Sequence, residues 1–541
     1  MTLPSLQGPR GRTLAQVLAE KAAANPSSDA LFHDDRRWSY SELLQRSQDV
    51  AKAFLAQGVR PGDRIGVLLG NDPNWLLTCL GASMVGAVFV PLNTWYKSGE
   101  LAWTIRHCGL SLIVSASHFI KTDYTRLFGE LMPDFAASGR LPDNELPSLR
   151  TLVFMDRAPA GTLDWAGFLK AGAAISSDAL AAATAAVSPD SAAFVLYTSG
   201  STADPKGVLL NHRGVVENGF QLGRRRDILA EDRVWLGSPL FYGLGATNAL
   251  PATLTAGAAL VLQGHFEAGS AIETIERTRA TVFYGTGNMT RGMLDHPDYA
   301  RRRVGSLQKG NAGTVAEYKR LTLVEMGISR AVPAYGLTET YGNATVGDAD
   351  DDLEVKVATN GRPLPGMEMI IVDPTSGARL AQGEIGLVLI RGHTTPGYLN
   401  NAEETAKALR PDGFFDTGDL GSFDAEGRFI FHSRLKEVLK SGGINVSPLE
   451  VEQLLAAHPD VRDAYVVGVS DPVQGEKIVA FVDVAASVSE DALKAYVKER
   501  AAAFKTPHHI LFRSESQLPR LASGKVAKYR LAEDAKRELG L

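Results

Sequence analysis

An α/β fold of mostly parallel, helix-covered sheets, followed by a smaller α+β domain, is what the order of apolar runs along this chain predicts. Three observations carry it. Short β-rich runs, IGVLL (65–69) and SLIVSA (111–116), alternate with the helical stretch WLLTCLGASMVGAVFVPL (75–92), the pattern of a parallel sheet with helical crossovers. A length of 541 residues exceeds what one hydrophobic core supports. The pattern also changes near Arg434–Lys436, beyond which a capped helix and two long apolar strands form a unit of their own.

Taken in order, residues 13–57 read as two helical stretches around a short strand pair. Leu43, Val50, Ala53, Phe54 and Leu55 lie near helical spacing, and Gly58 suits the helix end. The Ala-rich segment 171–187 reads as helix plus surface connection. The apolar run Ala192 to Leu196 reads as a buried strand followed by a turn. In the second unit Ser447 offers a capping hydroxyl, Pro448 the first helical position and Glu450 the third. The helix VEQLLAAHP follows, then the strands DAYVVGVS and KIVAFVDV and the helix ALKAYVKERAAA. The expected domains are 1–434 and 435–541.

The net charge of −5 gives no general electrostatic reason to bind nucleic acid or an anionic membrane. Two cysteines, Cys79 and Cys108, with no C-x-x-C pair, exclude a disulfide framework and a cysteine zinc site. The first residues lack the apolar core of a signal peptide, and no run of about 18 uncharged apolar residues occurs to span a bilayer. A cytoplasmic location is the expectation.

The densest chemistry lies in YTSGSTADPKG, Tyr197 to Gly207. Backbone N–H groups freed by Gly200 and Gly207, hydroxyls of Thr198, Ser199, Ser201 and Thr202, and the charge of Lys206 suit a polyphosphate. The spacing is not that of a Walker A loop: Pro205 precedes Lys206 where glycine is needed, and Gly207 follows where a hydroxyl is needed. Kinases and ATPases of the P-loop type are thereby disfavoured.

Four later islands hold polar groups that packing would not select. In AYGLTETYG, Ala334 to Gly342, Tyr335 suits stacking on a base and Thr338 a phosphate contact. Glu339 suits Mg²⁺, a hard cation that prefers carboxylate oxygen. In GFFDTGDLG, Gly413 to Gly421, Asp419 in a glycine-flanked turn suits the two hydroxyls of a ribose, although alone the segment reads better as a plain hairpin turn. In SRLKEVLKSGGINVSPLEVE, Ser433 to Glu452, Gly442 and Gly443 free the backbone. Near the C-terminus, Lys525 follows Ser523-Gly524, with Lys528 and Arg530 beyond it.

In this order the islands resemble those of the adenylate-forming superfamily: acyl-CoA synthetases, carrier-protein adenylation domains and beetle luciferases. The resemblance spans nearly the whole chain. It implies that family's fold with a mobile C-terminal domain, and the use of ATP, Mg²⁺ and coenzyme A. By it, Thr198, Ser199, Gly200, Ser201, Thr202 and Lys206 close on the β- and γ-phosphates. Tyr335, Gly336, Thr338 and Glu339 supply adenine stacking, phosphate contact and Mg²⁺; Asp419 and Arg434 hold the ribose; Gly310, Asn311 and Ala312 line the adenine and acyl pocket. Lys525 maps to a late lysine that contacts the carboxylate and the α-phosphate, where its charge offsets the repulsion of two anions. Lys436 maps to the hinge about which the small domain turns, bringing Lys440, Gly442 and Gly443 to a pantetheine tunnel. Pro519 to Lys525 also resembles a recognition site for a lysine acetyltransferase, which would neutralise Lys525. A homodimer of the family's kind is the expected assembly.

The chain departs from the family pattern at Ala203, at Tyr242, where histidine is usual, and across Lys309 to Gly313. Tyr242, Gly243, Gly245, Tyr284 and Gly285, with Asn311, are the expected acyl pocket. Aromatics beside glycines suit a ring or a branched or medium-length chain. The function expected is that of an ATP-dependent acid–CoA ligase. It activates an apolar carboxylic acid (medium-chain, branched, alicyclic or aryl) as acyl-AMP and passes the acyl group to CoA, releasing AMP and pyrophosphate. GGINVSPLEVE resembles CoA ligases more than carrier-protein adenylation domains. An acyl-AMP ligase that loads a carrier protein is one alternative. A nucleotide-binding regulator without catalysis is another, against which Glu339, Asp419, Arg434 and Lys525 all stand.

Overall fold

The computed structural model describes residues 8–198, 205–441, 444–471, 475–501, 503–520 and 525–540. Helices Leu14–Ala24 and Tyr40–Ala56 enclose the strands Asp29–His33 and Arg36–Ser39, as the spacing predicts. The run 65–69 supplies the strand Arg64–Leu68 and the run 111–116 the strand Leu112–Ser115, paired in parallel with Ile65 opposite Leu112. Helix Pro73–Val85 lies between them in the chain. It starts at the Asp72 cap with Pro73 at its first position and stops at Gly86, whose φ is +71°. All its residues but Asn74 are buried, as expected of a helix apolar all round that sits between layers.

These strands belong to a seven-stranded sheet that is parallel except where Ala192–Thr198 pairs with Lys206–Asn211. Val195 enters one core cluster while Phe194 and Leu196 enter another, so this strand is buried on both faces and reads as a continuous apolar run. A nine-stranded sheet holds Arg233–Leu236, Val282–Tyr284, Lys309–Gly313 and Arg330–Tyr335 in parallel register. The segments 238–245, 285–286 and 336–343 leave the carboxyl ends of three of them, which is where an open α/β sheet forms its ligand crevice.

A four-stranded antiparallel sheet follows: Met367–Val372, Gly386–Gly392, Phe415–Phe423 and Phe429–Arg434. Here the structure corrects one expectation. Residues 413–421 do not form a glycine-flanked turn around Asp419; the strand Phe415–Phe423 runs through it, and Asp419 pairs with Arg434. Gly418, at φ +66°, and a register shift beside Gly421 absorb the irregularity without ending the strand.

After the short 3₁₀ turn Leu435–Glu437, a five-stranded sheet is built on the hairpin Val461–Asp471 and Gly475–Val484. Val466, Ile478, Ala480 and Val482 pack with Val451, Leu455, Leu493 and Val497 of helices Pro448–Ala456 and Glu490–Arg500. On the opposite face Val467, Val469, Val479 and Phe481 pack with Leu531 and Ala535 of helix Lys528–Leu539. Both faces are covered, which accounts for the unbroken apolar runs in both strands. Among the described residues no helix is long and apolar enough to cross a membrane.

Candidate active site

The phosphate-loop candidate joins two antiparallel strands in which Thr198 stands opposite Lys206. Ser199, Gly200, Ser201 and Thr202 lie outside the described residues. The strand Ala192–Thr198 is anchored near its end by Tyr197, whose hydroxyl is 2.8 Å from His107 Nδ1, and His107 stacks on Trp103 with centroids 4.6 Å apart. Lys206 does not stand free for a phosphate. Its ammonium pairs with Glu404, near the start of helix Ala402–Ala408, and lies 5.1 Å from the Tyr398 ring centroid. The pairing holds Glu404 at about 2, well below the ordinary carboxylate value.

The strand Arg330–Tyr335 delivers the next island. Beyond it the chain turns through a 3₁₀ segment Thr338–Thr340, with Tyr341 at φ +57° and Gly342 at φ +104°. Gly336 is required here: a Cβ at that position would sit 2.4 Å from the Cα of Asn343. Thr338 and Glu339 are half-buried. Glu339 Oε1 accepts from the Tyr398 hydroxyl at 2.9 Å, and its backbone carbonyl accepts from Thr395 N at 2.7 Å. Tyr335, expected to offer a face to a base, is instead only 4% exposed, with its ring against Phe429 and Phe431 at 4.6 and 5.6 Å between centroids.

The Tyr335 hydroxyl donates to Asp419 Oδ2 at 2.7 Å, and Arg434 Nε lies 3.2 Å from Oδ1. Asp419 is 2% exposed, and Oδ1 has no hydrogen-bond partner of good geometry. Burial raises this carboxyl to about 6, against the pull of Arg434 and the Tyr335 hydroxyl. An acceptor held in place but unsatisfied suits a ligand hydroxyl.

Lys525, from the C-terminal unit, reaches the same place. Its pKa is lowered from the usual 10.5 by burial and then by Arg434, while Glu437 and Asp419 oppose the shift. Lys525 nonetheless keeps solvent exposure. Gly442 and Gly443, and the side chains of Lys436 and Lys440, lie outside the described residues.

The expected acyl residues divide. A Cβ on Gly243 would approach the Thr338 and Thr247 hydroxyls to 3.5 and 3.6 Å, so the turn after Tyr242 adjoins the Thr338 loop. Asn311 Nδ2 donates to the Gly285 carbonyl at 3.2 Å, tying the two neighbouring loops together. Gly310, at φ +133°, has no room for a side chain, since a Cβ there would lie 2.2 Å from the Phe283 carbonyl oxygen. Tyr284 is a correction: it is fully buried, and its hydroxyl engages Arg226 and, at 3.1 Å, Asn248. Ala312 is another, since it is 2% exposed and packs into the core with Phe283 and Ile272. Gly245 and Gly285 are buried backbone that a Cβ would push into Leu240 and Phe283 respectively. Sequence reasoning did not find Tyr398, Glu404, Arg226, Asn248 or Asn343, all of which touch the site loops.

The model of the AMP-binding enzyme family matches residues 18–399, and that of the AMP-binding enzyme C-terminal domain matches residues 450–525. The chain belongs to the AMP-binding enzyme family. A 3-[(3aS,4S,7aS)-7a-methyl-1,5-dioxo-octahydro-1H-inden-4-yl]propanoyl:CoA ligase of Mycobacterium tuberculosis is 35% identical over 96% of this AMP-binding enzyme and 99% of that protein. The mitochondrial medium-chain acyl-CoA ligase ACSF2 of Rattus norvegicus is 30% identical over 98% and 88%. The crystal structure of ATP-bound MatB from Rhodopseudomonas palustris superposes with a TM-score of 0.83 at 27% identity, over 96% and 99% of the two chains. This AMP-binding enzyme is an AMP-forming acid–CoA ligase that uses ATP, a carboxylic acid and CoA.

Proposed function

We propose that this AMP-binding enzyme joins CoA to an apolar carboxylic acid of ring-bearing, branched or medium-chain type, by way of an acyl-adenylate. The observation that carries the reading is the convergence of Asp419 and Arg434, from neighbouring strands of one sheet, and Lys525, from a C-terminal segment, on one crevice. Asp419, oriented by Tyr335, accepts from the ribose hydroxyls, and Arg434 flanks it. Lys525 brings positive charge to the point where a carboxylate oxygen attacks the α-phosphorus and the bond to pyrophosphate breaks. Thr338, beside Gly243, marks where the acyl and phosphate sides meet. After pyrophosphate leaves, residues 435–541 turn about Lys436 and withdraw Lys525. The CoA sulfur then attacks the acyl carbon, and AMP departs.

Glu339 fits a Mg²⁺ ion held jointly with substrate phosphates. Its carboxylate is oriented by Tyr398, and the described residues gather no cluster of three or more acidic, histidine or cysteine side chains that would form an all-protein cage. When bound there, the ion supplies charge neutralisation of the departing pyrophosphate.

The acid class rests on the aromatic surface beside the Thr338 loop. Trp95, 45% exposed, packs edge-on to Phe241 and Tyr242 at centroid distances of 5.4 and 6.0 Å, and Tyr242 accepts from Asn93 Nδ2 at 3.4 Å. The bicyclic propanoyl and medium-chain acids in the names of two relatives are of the same apolar kind. The test is a pyrophosphate-release screen over short-chain, medium-chain, alicyclic and aryl carboxylates, with and without CoA. Release that depends on an apolar acid, with thioester formed when CoA is present, is expected. Release confined to short-chain acids, or an adenylate that CoA never converts to thioester, contradicts the proposal.

A further inference from the structure

Arg226 is 1% exposed, yet its described partners are all neutral. Nη1 donates to Asn248 Oδ1 at 2.6 Å and to the Tyr284 hydroxyl, and Nη2 donates to Asn343 Oδ1 at 3.2 Å. The guanidinium lies 4.7 Å from the Tyr284 ring centroid, and Nε has no partner. A buried cation without an anion is costly, and an apolar side chain would pack here at lower cost. What the guanidinium offers in exchange is a rigid planar fork that fixes several acceptors at once.

Those acceptors come from three elements that border the crevice. Asn248 sits in the π-helix Leu244–Ala249, which starts directly after Gly243 and so directly after the acyl-side turn. Irregular helix of this kind is frequent at functional sites. Tyr284 ends its strand just before Gly285. Asn343 closes the loop that carries Thr338 and Glu339, and its α-carbon is the atom packed on Gly336. Asn248 Nδ2 also donates to Asn343 Oδ1, so the acyl-side helix and the nucleotide-side loop share one acceptor. A second fastener lies about two helix turns earlier. Asn218 Nδ2 donates to the carbonyls of Thr340, Tyr341 and Asn343 at 3.2, 3.3 and 3.1 Å.

We propose that Arg226 is a positioning residue for adenylation, locking the turn Tyr242–Gly243 and the loop Gly336–Asn343 into one rigid unit so that acid and ATP meet in fixed geometry. The inference rests on the acid–CoA ligase reading. Arg226 touches neither substrate. It acts through Asn248 and Asn343 on the groups that do.

The test uses the full-length chain with Arg226→Lys, which keeps the charge and loses the fork, and Asn343→Ser, which removes the loop's end of the link and leaves Arg226 in place. Pyrophosphate-release kinetics are measured at saturating acid, and amide hydrogen exchange is followed along the chain without substrates. Both variants should lose roughly tenfold to a hundredfold in kcat, with KM for ATP changed by less than about threefold. Exchange should quicken in 336–343 and 243–249 while the sheets keep wild-type protection. Wild-type kcat in Arg226→Lys would overturn the proposal, since charge alone would then suffice. Faster exchange throughout both large sheets, with kcat falling in step with melting temperature, would also overturn it by making Arg226 a general stability residue. The exchange result is independent of turnover. If wild-type protein releases no pyrophosphate with any acid, the ligase reading fails while the link between the two loops is still judged by exchange.

Discussion

Asp419 shows how neighbours can hold one buried carboxylate in place and leave it an unsatisfied acceptor. The Tyr335 hydroxyl fixes one oxygen, Arg434 stands near the other, and burial still lifts the carboxyl to about 6. Because the raised value comes from burial, the group ionises late, and its full acceptor capacity exists only above that pH. ATP affinity should therefore weaken as pH falls through about 6. Asp419→Asn should remove that acidic limb and raise the Kd for ATP by about 10- to 100-fold, the scale of a lost charged hydrogen bond. Calorimetry of both proteins between pH 5 and 8 measures this; an unchanged Kd at neutral pH for the variant would rule out the ribose role. The types of these residues were legible in the sequence, since tyrosine, aspartate and arginine stood out in polar islands. The neighbours were not. Tyr398 and Glu404 meet Glu339 and Lys206 across 59 and 198 residues of chain, and no local spacing announces such a meeting.

At the scale of elements, each island owes its geometry to the strand before it. Gly336 lets the loop fold back so closely that Asn343 occupies the space of its missing side chain. Gly336→Ala should therefore displace Thr338 and Glu339, lowering adenylation about 10²-fold, with circular dichroism unchanged. Near-normal pyrophosphate release by that variant would mean that the loop's shape is not what holds the site. Strands, helices and caps were readable because their signals are local: Ser447 caps the helix Pro448–Ala456 by accepting from Glu450 N, as the Ser-Pro-x-Glu pattern predicts. The Asp419 segment was misread because D-T-G-D-L-G has the composition of a turn. Its strand is imposed by tertiary pairing with Phe429–Arg434, into which Gly421 fits by leaving room for the Phe429 ring. Tyr284 was misread for a related reason. An aromatic beside glycine looks like a pocket wall, but a strand end can turn its ring inward.

At the scale of the molecule, the contact between the two units has its own titration. Glu317, in the helix Ala316–Arg320, is raised to about 7 by burial, then by the like charge of Asp463 from the C-terminal sheet; Arg291, 4.0 Å away, opposes and Glu325 adds to it. Asp463 is itself raised by burial, although the Tyr465 hydroxyl donates to it at 2.6 Å and Arg520 lies near enough to favour its charge. Undocking returns Glu317 toward its ordinary value of 4.5, so docking in this orientation weakens as pH rises from 4.5 to about 7 and changes little above that. A fluorescence pair placed across the two units should report less docking at pH 8 than at pH 5.5 in the wild type, and a smaller response in Glu317→Gln, where Asp463 alone remains raised. An equal pH response in both proteins would remove Glu317 from the account. The orientation matters because it is the one that brings Lys525 beside Arg434 and Asp419. Carboxylate-dependent pyrophosphate release by Lys525→Ala is the most direct test of the adenylation account. A fall of about 10²–10³-fold, with ATP binding intact and supplied acyl-AMP still converted to thioester, is the predicted result. Release at the wild-type rate would contradict it.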